Sequence, residues 1–132
     1  MRIPPTLLAL LAFSASATSA EAAKIEGRDW RAQDVNGVPV TGDRPLTLRL
    51  QGKSATGNAG CNNFAGSYKL KSGRIEFGPV ISTRMACDPA VMEQERRFIS
   101  ILAAARSFTR YGNGSLSLIA PDGRAIRFRP VR

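Results

Sequence analysis

Two short blocks decide the fold of this chain, Gly60-Cys61-Asn62-Asn63-Phe64 and Thr83-Arg84-Met85-Ala86-Cys87. They contain the two cysteines of the sequence, which lie 26 positions apart. An even cysteine count behind an export signal indicates a disulfide, here between Cys61 and Cys87. A bridge closing a loop of this length would stabilise the fold by roughly 3–4 kcal/mol. Two alternatives stay open, a pair of buried free thiols, and metal-binding or redox cysteines, although no Cys-x-x-Cys spacing is present.

Residues 1–22 have the pattern of a secretory signal peptide. The basic residue Arg2 precedes an apolar run over residues 7–13, and a stretch of small residues follows that run. Cleavage is expected after Ala20 or Ala22. The apolar run is shorter than the roughly 20 residues that span a membrane, and no cysteine follows it for lipid attachment. The sequence therefore predicts a periplasmic or secreted protein without a lipid anchor or a membrane span. Two prolines near the start disfavour the alternative, a buried N-terminal helix.

The composition limits the chemistry that this chain can perform. Its 132 residues carry a net charge of +9 and contain no histidine. The absence of histidine removes the commonest general base and the usual zinc ligand. We therefore expect no catalytic, cofactor or metal site, and a protein that is not an enzyme.

The positive charge favours anionic neighbours. The basic residues are dispersed, and the densest group is Arg124, Arg127, Arg129 and Arg132. Arg127 and Arg129 would share one strand face. No aromatic side chains interleave on that face, so nucleic acid is not an expected partner. Two interpretations stay open, a solvated basic surface or a dedicated polyanion site.

Residues 24–132 predict one small, mainly β domain of the α+β class. Alternating apolar and polar residues between turn dipeptides such as Asn36-Gly37 indicate short antiparallel strands. The predicted strands are Trp30–Val35, Leu46–Leu50, Ser54–Asn58, Ser67–Lys71, Arg74–Phe77, Phe108–Tyr111, Leu116–Ile119 and Ala125–Phe128. A sheet of such hairpins removes its edges by closing, fully or in part, into a barrel. We expect a small, partly open (cracked) β-barrel with one helix packed against an opening.

The helix is predicted from Pro89 to about Ala105, with Asp88 as its N-cap. Glu95 falls on the same face as Phe98 and Leu102, so its carboxylate needs a donor if that face is buried. Arg84 is the predicted partner, in a buried ion pair, and backbone N–H groups are the second choice. Arg84 could instead bind an anion.

Residues 57–68, GNAGCNNFAGSY, resemble the signature of the META domain, the HslJ-like heat-shock family. Residues 83–89 and 92–98 continue the match in the same order, and the resemblance covers about residues 27–129. The motif residues for which we expect structural roles are Gly60, Asn62, Asn63, Phe64, Thr83, Arg84 and Met85. Asn62 and Asn63 are interpreted as turn-formers rather than ligands, since their amides bond nearby backbone.

The resemblance implies a small cracked β-barrel with a helix and no established enzymatic activity. Members are commonly exported or lipoprotein-anchored in bacteria, and are linked to heat shock, antibiotic tolerance and virulence. The present chain departs from the lipoprotein members because it lacks a lipobox cysteine. We expect an exported, non-enzymatic binding or accessory module of the envelope stress response.

The alternative is a lipid or hydrophobic-peptide carrier that uses the barrel interior, as a similarity in shape to secretin pilot proteins would suggest. The expected partner is an unknown envelope protein or lipid, and the protein is expected to be a monomer.

Overall fold

The computed structural model describes residues 25–131, and the predicted signal peptide lies outside them. The described part forms ten strands and the helix α1. In chain order the elements are β1 (Asp29–Val35), β2 (Val38–Pro39), β3 (Thr47–Gln51), β4 (Ser54–Asn58), β5 (Asn63–Lys71), β6 (Arg74–Phe77), β7 (Ile81–Ser82), α1 (Pro89–Ala104), β8 (Ser107–Arg110), β9 (Leu116–Ile119) and β10 (Ala125–Pro130).

Eight of the strands close into an antiparallel barrel in the order β1-β3-β4-β5-β6-β8-β9-β10, with β10 pairing back to β1. The short strands β2 and β7 lie off this ring and pair with β1 and β5. The seam between β6 and β8 has a single register pair, Arg74 with Ser107. The predicted mainly β barrel with one helix is confirmed. The barrel is closed rather than partly open, and its weakest strand pairing is the single register pair between β6 and β8.

A β-bulge makes it possible for β1 to keep its apolar residues inside the barrel. Trp30, Ala32 and Val35 are buried, although strict alternation would turn Val35 outward. The register of β1 against β10 shifts between Ala32 and Asp34, and one extra residue there restores the inward direction. On β10, Arg127 and Arg129 share the outer face, as the alternation predicts.

Helix α1 begins as expected from its first residues. Asp88 accepts a hydrogen bond from the Val91 N–H at 3.3 Å, and Pro89 occupies the first turn. Its apolar face then fills one end of the barrel. The ring of Phe98 packs between those of Phe64 and Phe128, with centroids 5.7 and 6.2 Å apart.

The barrel interior is filled by side chains. The largest fully buried ones are Trp30, Phe98, Phe128, Ile25, Leu46, Leu48, Leu50, Ile75, Ile101, Leu102, Leu116 and Leu118. They come from the barrel strands, from α1 and from the segments that precede β1 and β3. A core packed from the barrel strands and the helix in this way holds the ring closed and leaves functional surfaces to its outside.

The close approach of β3 and β4 requires a glycine at position 57. A Cβ there would lie 2.8 Å from the carbonyl carbon of Thr47 and 2.9 Å from the ring of Phe64. We expect Gly57→Ala to lower the free energy of unfolding by about 3 kcal/mol, because backbone must move to admit the methyl group. Gly112→Ala is the control, since no atom of the described residues lies within 4 Å of its Cβ position. Urea unfolding of both variants measures the difference, and equal losses would contradict the packing.

Stability at alkaline pH should depend on Tyr68 of β5. Burial and the hydrogen bond that its hydroxyl donates to Glu26 raise the pKa of Tyr68 from 10.0 to about 12. The unfolded chain loses this proton near pH 10 while the folded chain keeps it. The stabilisation is therefore complete below about pH 10 and disappears as pH rises towards 12. Urea unfolding across this range should show a shallower decline for Tyr68→Phe, and identical declines would disprove the assignment.

Candidate functional site

The predicted disulfide is present between Cys61 and Cys87, whose Cα atoms lie 6.0 Å apart. It joins the loop between β4 and β5 to the segment that leads into α1. We call these two segments, residues 58–63 and 83–88, the disulfide lobe. The described residues contain no group of three or more His, Cys, Asp or Glu side chains placed to hold a metal ion. Both cysteines are in the bridge, so the alternative of free thiols is wrong.

Glu95 of α1 anchors the disulfide lobe through hydrogen bonds to the loop between β4 and β5. Its side chain projects from α1 and is only 5% exposed. One carboxylate oxygen accepts the backbone N–H groups of Cys61, at 3.2 Å, and of Asn62, at 2.7 Å. The other accepts the Asn62 side-chain amide at 2.7 Å. These charge-assisted hydrogen bonds satisfy the carboxylate and two buried backbone donors together.

The ion pair predicted between Glu95 and Arg84 is therefore wrong, and the second choice, backbone N–H groups, is what the structure contains. Arg84 is exposed and takes part in none of the ion pairs found among residues 25–131. The physical reason is desolvation. A buried guanidinium would lose its water at a large cost, whereas the N–H groups of the 60–63 loop need a buried acceptor in any case.

Asn62 connects the two sequence blocks. It is 2% exposed, and its side-chain oxygen accepts the Thr83 hydroxyl at 2.9 Å and the Met85 N–H at 2.7 Å. Its side-chain nitrogen donates to the Met85 carbonyl at 3.2 Å as well as to Glu95. Asn62 is thus more than a local turn-former, since its amide bonds a segment about twenty residues further along the chain.

The remaining motif residues shape the loop itself. Gly60 has a φ of +109°, a conformation that side chains rarely adopt, and its N–H donates to the Asn58 side chain at 2.8 Å. The Asn58 amide in turn donates to the Asn63 side chain at 2.9 Å. Asn63 begins β5, and Phe64 after it reaches the core. The two blocks identified in the sequence form one hydrogen-bonded unit.

An open groove runs beside β7 at the edge of this unit. Its volume is about 590 Å³, and it is lined by Asn62, Val80, Ile81, Ser82, Thr83, Arg84, Met85, Met92 and Glu95. We call it the lobe groove. Ile81 is 72% exposed and Met85 49% exposed, and both lie near Arg84, for which the described part of the chain supplies no ion-pair partner. Strand β7 pairs only with β5, so its other edge has no strand partner in the described residues.

The META domain profile matches residues 23–131 of the chain. The chain belongs to the META domain family. No curated protein matches it. Two solved structures are similar to this META domain in fold. An NMR structure of a protein from Burkholderia xenovorans shares 23% identity with a TM-score of 0.68, covering 99% of both chains. A second NMR structure shares 24% identity with a TM-score of 0.67, covering 81% of this chain and 92% of that one.

The stability of the disulfide lobe should depend on the negative charge of Glu95. Glu95→Gln keeps the shape but turns one acceptor into a donor that faces other donors, so we expect a loss of about 2–4 kcal/mol in the free energy of unfolding. The control is Glu93→Gln, an exposed position on the same helix whose carboxylate contacts only Arg96 in the described residues. It should remain near wild type. Chemical denaturation measures both, and equal effects would contradict the anchoring role of Glu95.

Proposed function

We propose that this META-domain protein is an exported, non-catalytic module of the envelope stress response that binds a partner protein through the lobe groove. Exposed Ile81 and Met85 lie along one groove with Arg84, which has no ion-pair partner among residues 25–131. Large apolar side chains exposed together beside a rigid scaffold are typical of interaction sites.

Export is supported by the disulfide and by the leader pattern of residues 1–22. Stable disulfides form in oxidising compartments such as the periplasm and the extracellular space. The Cys61–Cys87 bridge ties down the segment that forms one wall of the groove. Oxidation after export would therefore complete the binding surface. Within residues 25–131 no helix is both long and apolar enough to span a membrane.

A binding role fits the state of the acidic groups better than catalysis does. Glu95 is the one buried acidic side chain in the described part of the chain, and three donors occupy its oxygens. A carboxylate held in this way has little capacity to transfer a proton to a substrate. The sequence also contains no histidine to take that part.

The partner that fits the groove is an extended segment with apolar and acidic side chains. The free edge of β7 offers backbone groups for strand addition, a common mode of peptide recognition. Ile81 and Met85 would contact apolar side chains of the segment, and Met adapts to varied shapes. Arg84 would pair with a carboxylate of the segment.

The carrier alternative receives no support from the barrel interior. That interior is occupied by fully buried Trp30, Phe98 and Phe128 together with aliphatic side chains. An acyl chain would have to displace several of them and lose their packing. The outer groove is therefore the better candidate for binding.

Affinity capture from envelope extract, with mass spectrometry of proteins and lipids, tests the proposal. The bait is the oxidised protein recovered from the periplasm. We expect wild type to retain an envelope protein that Ile81→Glu and Met85→Glu lose, because a charge in the groove repels an acidic, apolar segment. Val38→Glu is the matched control, an exposed apolar residue, 47% accessible, on the other two-residue strand. Equal capture by all variants would contradict the groove, and recovery of lipid alone would favour the carrier.

A further inference from the structure

Two arginines face each other across the outer surface of the β1–β10 pair. Arg31 and Arg129 are register partners, and both side chains are exposed. Side chains directly opposite in an antiparallel pair lie about 5 Å apart at their Cβ atoms, so two like charges there repel. Neither arginine has an ion-pair partner among residues 25–131.

The same surface balances its other cross-strand charges. Arg49 is the register partner of Asp29 and bonds it at 3.0 Å. Arg127 is the register partner of Asp34, and their charged atoms lie 3.8 Å apart. Opposite charges are thus paired on either side of the like-charged pair Arg31 and Arg129. This contrast indicates that an external anion would neutralise the facing charges of Arg31 and Arg129.

A third arginine, Arg44, lines the same surface cleft as Arg31 and Arg129. Arg44 lies between β2 and β3, and residue Thr41 of that loop exchanges two hydrogen bonds with the buried side chain of Gln94, at 2.8 and 2.9 Å. The next residue, Gly42, has a φ of +102°, and a Cβ added there would lie 3.3 Å from the Val91 side chain of α1. Helix α1 therefore holds the loop in position.

We propose that Arg31, Arg44 and Arg129 form a binding site for a phosphate group. The three arginines and Asp43 line one open cleft of about 320 Å³. Three arginines against one aspartate leave a net charge of about +2, which matches the charge of about −1.5 to −2 on a phosphomonoester at neutral pH. Guanidinium groups bind phosphate oxygens through two parallel hydrogen bonds. The cleft shares no lining residue with the lobe groove.

The cleft that contains Arg96, Arg97 and Arg124 differs from this site, since two of its three arginines already bond Glu93 and Asp122. A further basic cleft, which contains Arg74 and Arg106, is lined by lysines and by Glu76 as well. The proposed site differs from both because three arginines without an ion-pair partner among residues 25–131 line it together. The phosphate could belong to a soluble ester or to the headgroup of an anionic lipid.

Calorimetric titration of the oxidised protein with inorganic pyrophosphate tests the site. We expect saturable binding that Arg31→Gln, Arg44→Gln and Arg129→Gln each weaken by about tenfold, since each removes charge-assisted bonds. Arg127→Gln is the matched control, because it removes the same charge from the same face of β10 but lies outside the cleft. It should change the affinity by less than about twofold. Absence of saturable binding, or an equal loss in Arg127→Gln, would overturn the proposal.

Two further measurements add a stability readout and identify the source of the phosphate. In phosphate-free buffer, Arg31→Gln should raise the thermal midpoint slightly, because it relieves repulsion, yet should lose the upward shift that pyrophosphate gives wild type. A variant that melts lower and still responds to pyrophosphate would count against the site. Flotation with phosphatidylcholine vesicles, with and without phosphatidic acid, then separates the sources. Binding to phosphatidic acid that pyrophosphate displaces indicates a lipid headgroup, and pyrophosphate binding alone indicates a soluble ester.

Discussion

The buried carboxylate of Glu95, with its three hydrogen-bond donors, fixes how the disulfide lobe sits on the barrel and helix α1. A carboxylate this far from water is tolerated only where hydrogen bonds replace its hydration, and an unpaired one costs several kcal/mol. The N–H groups of Cys61 and Asn62 have the same need for an acceptor. Helix α1 and the two segments of the disulfide lobe therefore take one relative position. The disulfide joins the two segments of the disulfide lobe covalently. The lobe residues that line the lobe groove are therefore held in place.

Parts of the fold that local chemistry determines could be predicted from the sequence. The strands Ser54–Asn58, Arg74–Phe77 and Leu116–Ile119 match the prediction to the residue. Turn residues mark their ends, and most of these strands alternate apolar and polar residues. Ser72, at φ +49°, and Gly73, at φ +77°, make the tight turn that their residue types indicate. Strands β2 and β7 were missed because two residues contain no period.

Long-range partners were harder to predict. The burial of Glu95 followed from the helical period, but its partner depended on where the 60–63 loop directs its N–H groups. The basic cleft was missed for a similar reason. The densest arginine group in the sequence is dispersed by the fold, with Arg127 beside Asp34 and Arg124 beside Asp122. Only Arg129 of the described part of that group lines the cleft, where residues distant in sequence join it. Cross-strand register decides such neighbours, and register is set by the whole sheet.

Amide hydrogen exchange of the N–H groups of Cys61 and Asn62 tests whether Glu95 holds the disulfide lobe to the core. If Glu95 joins the disulfide lobe to the core, these two amides exchange only when the whole protein unfolds, as slowly as those of the barrel strands. In Glu95→Gln they should exchange through local opening, much faster than the strand amides of the same variant. Rapid exchange of both amides in the wild-type protein, or unchanged protection of the lobe relative to the strands in Glu95→Gln, would contradict the account.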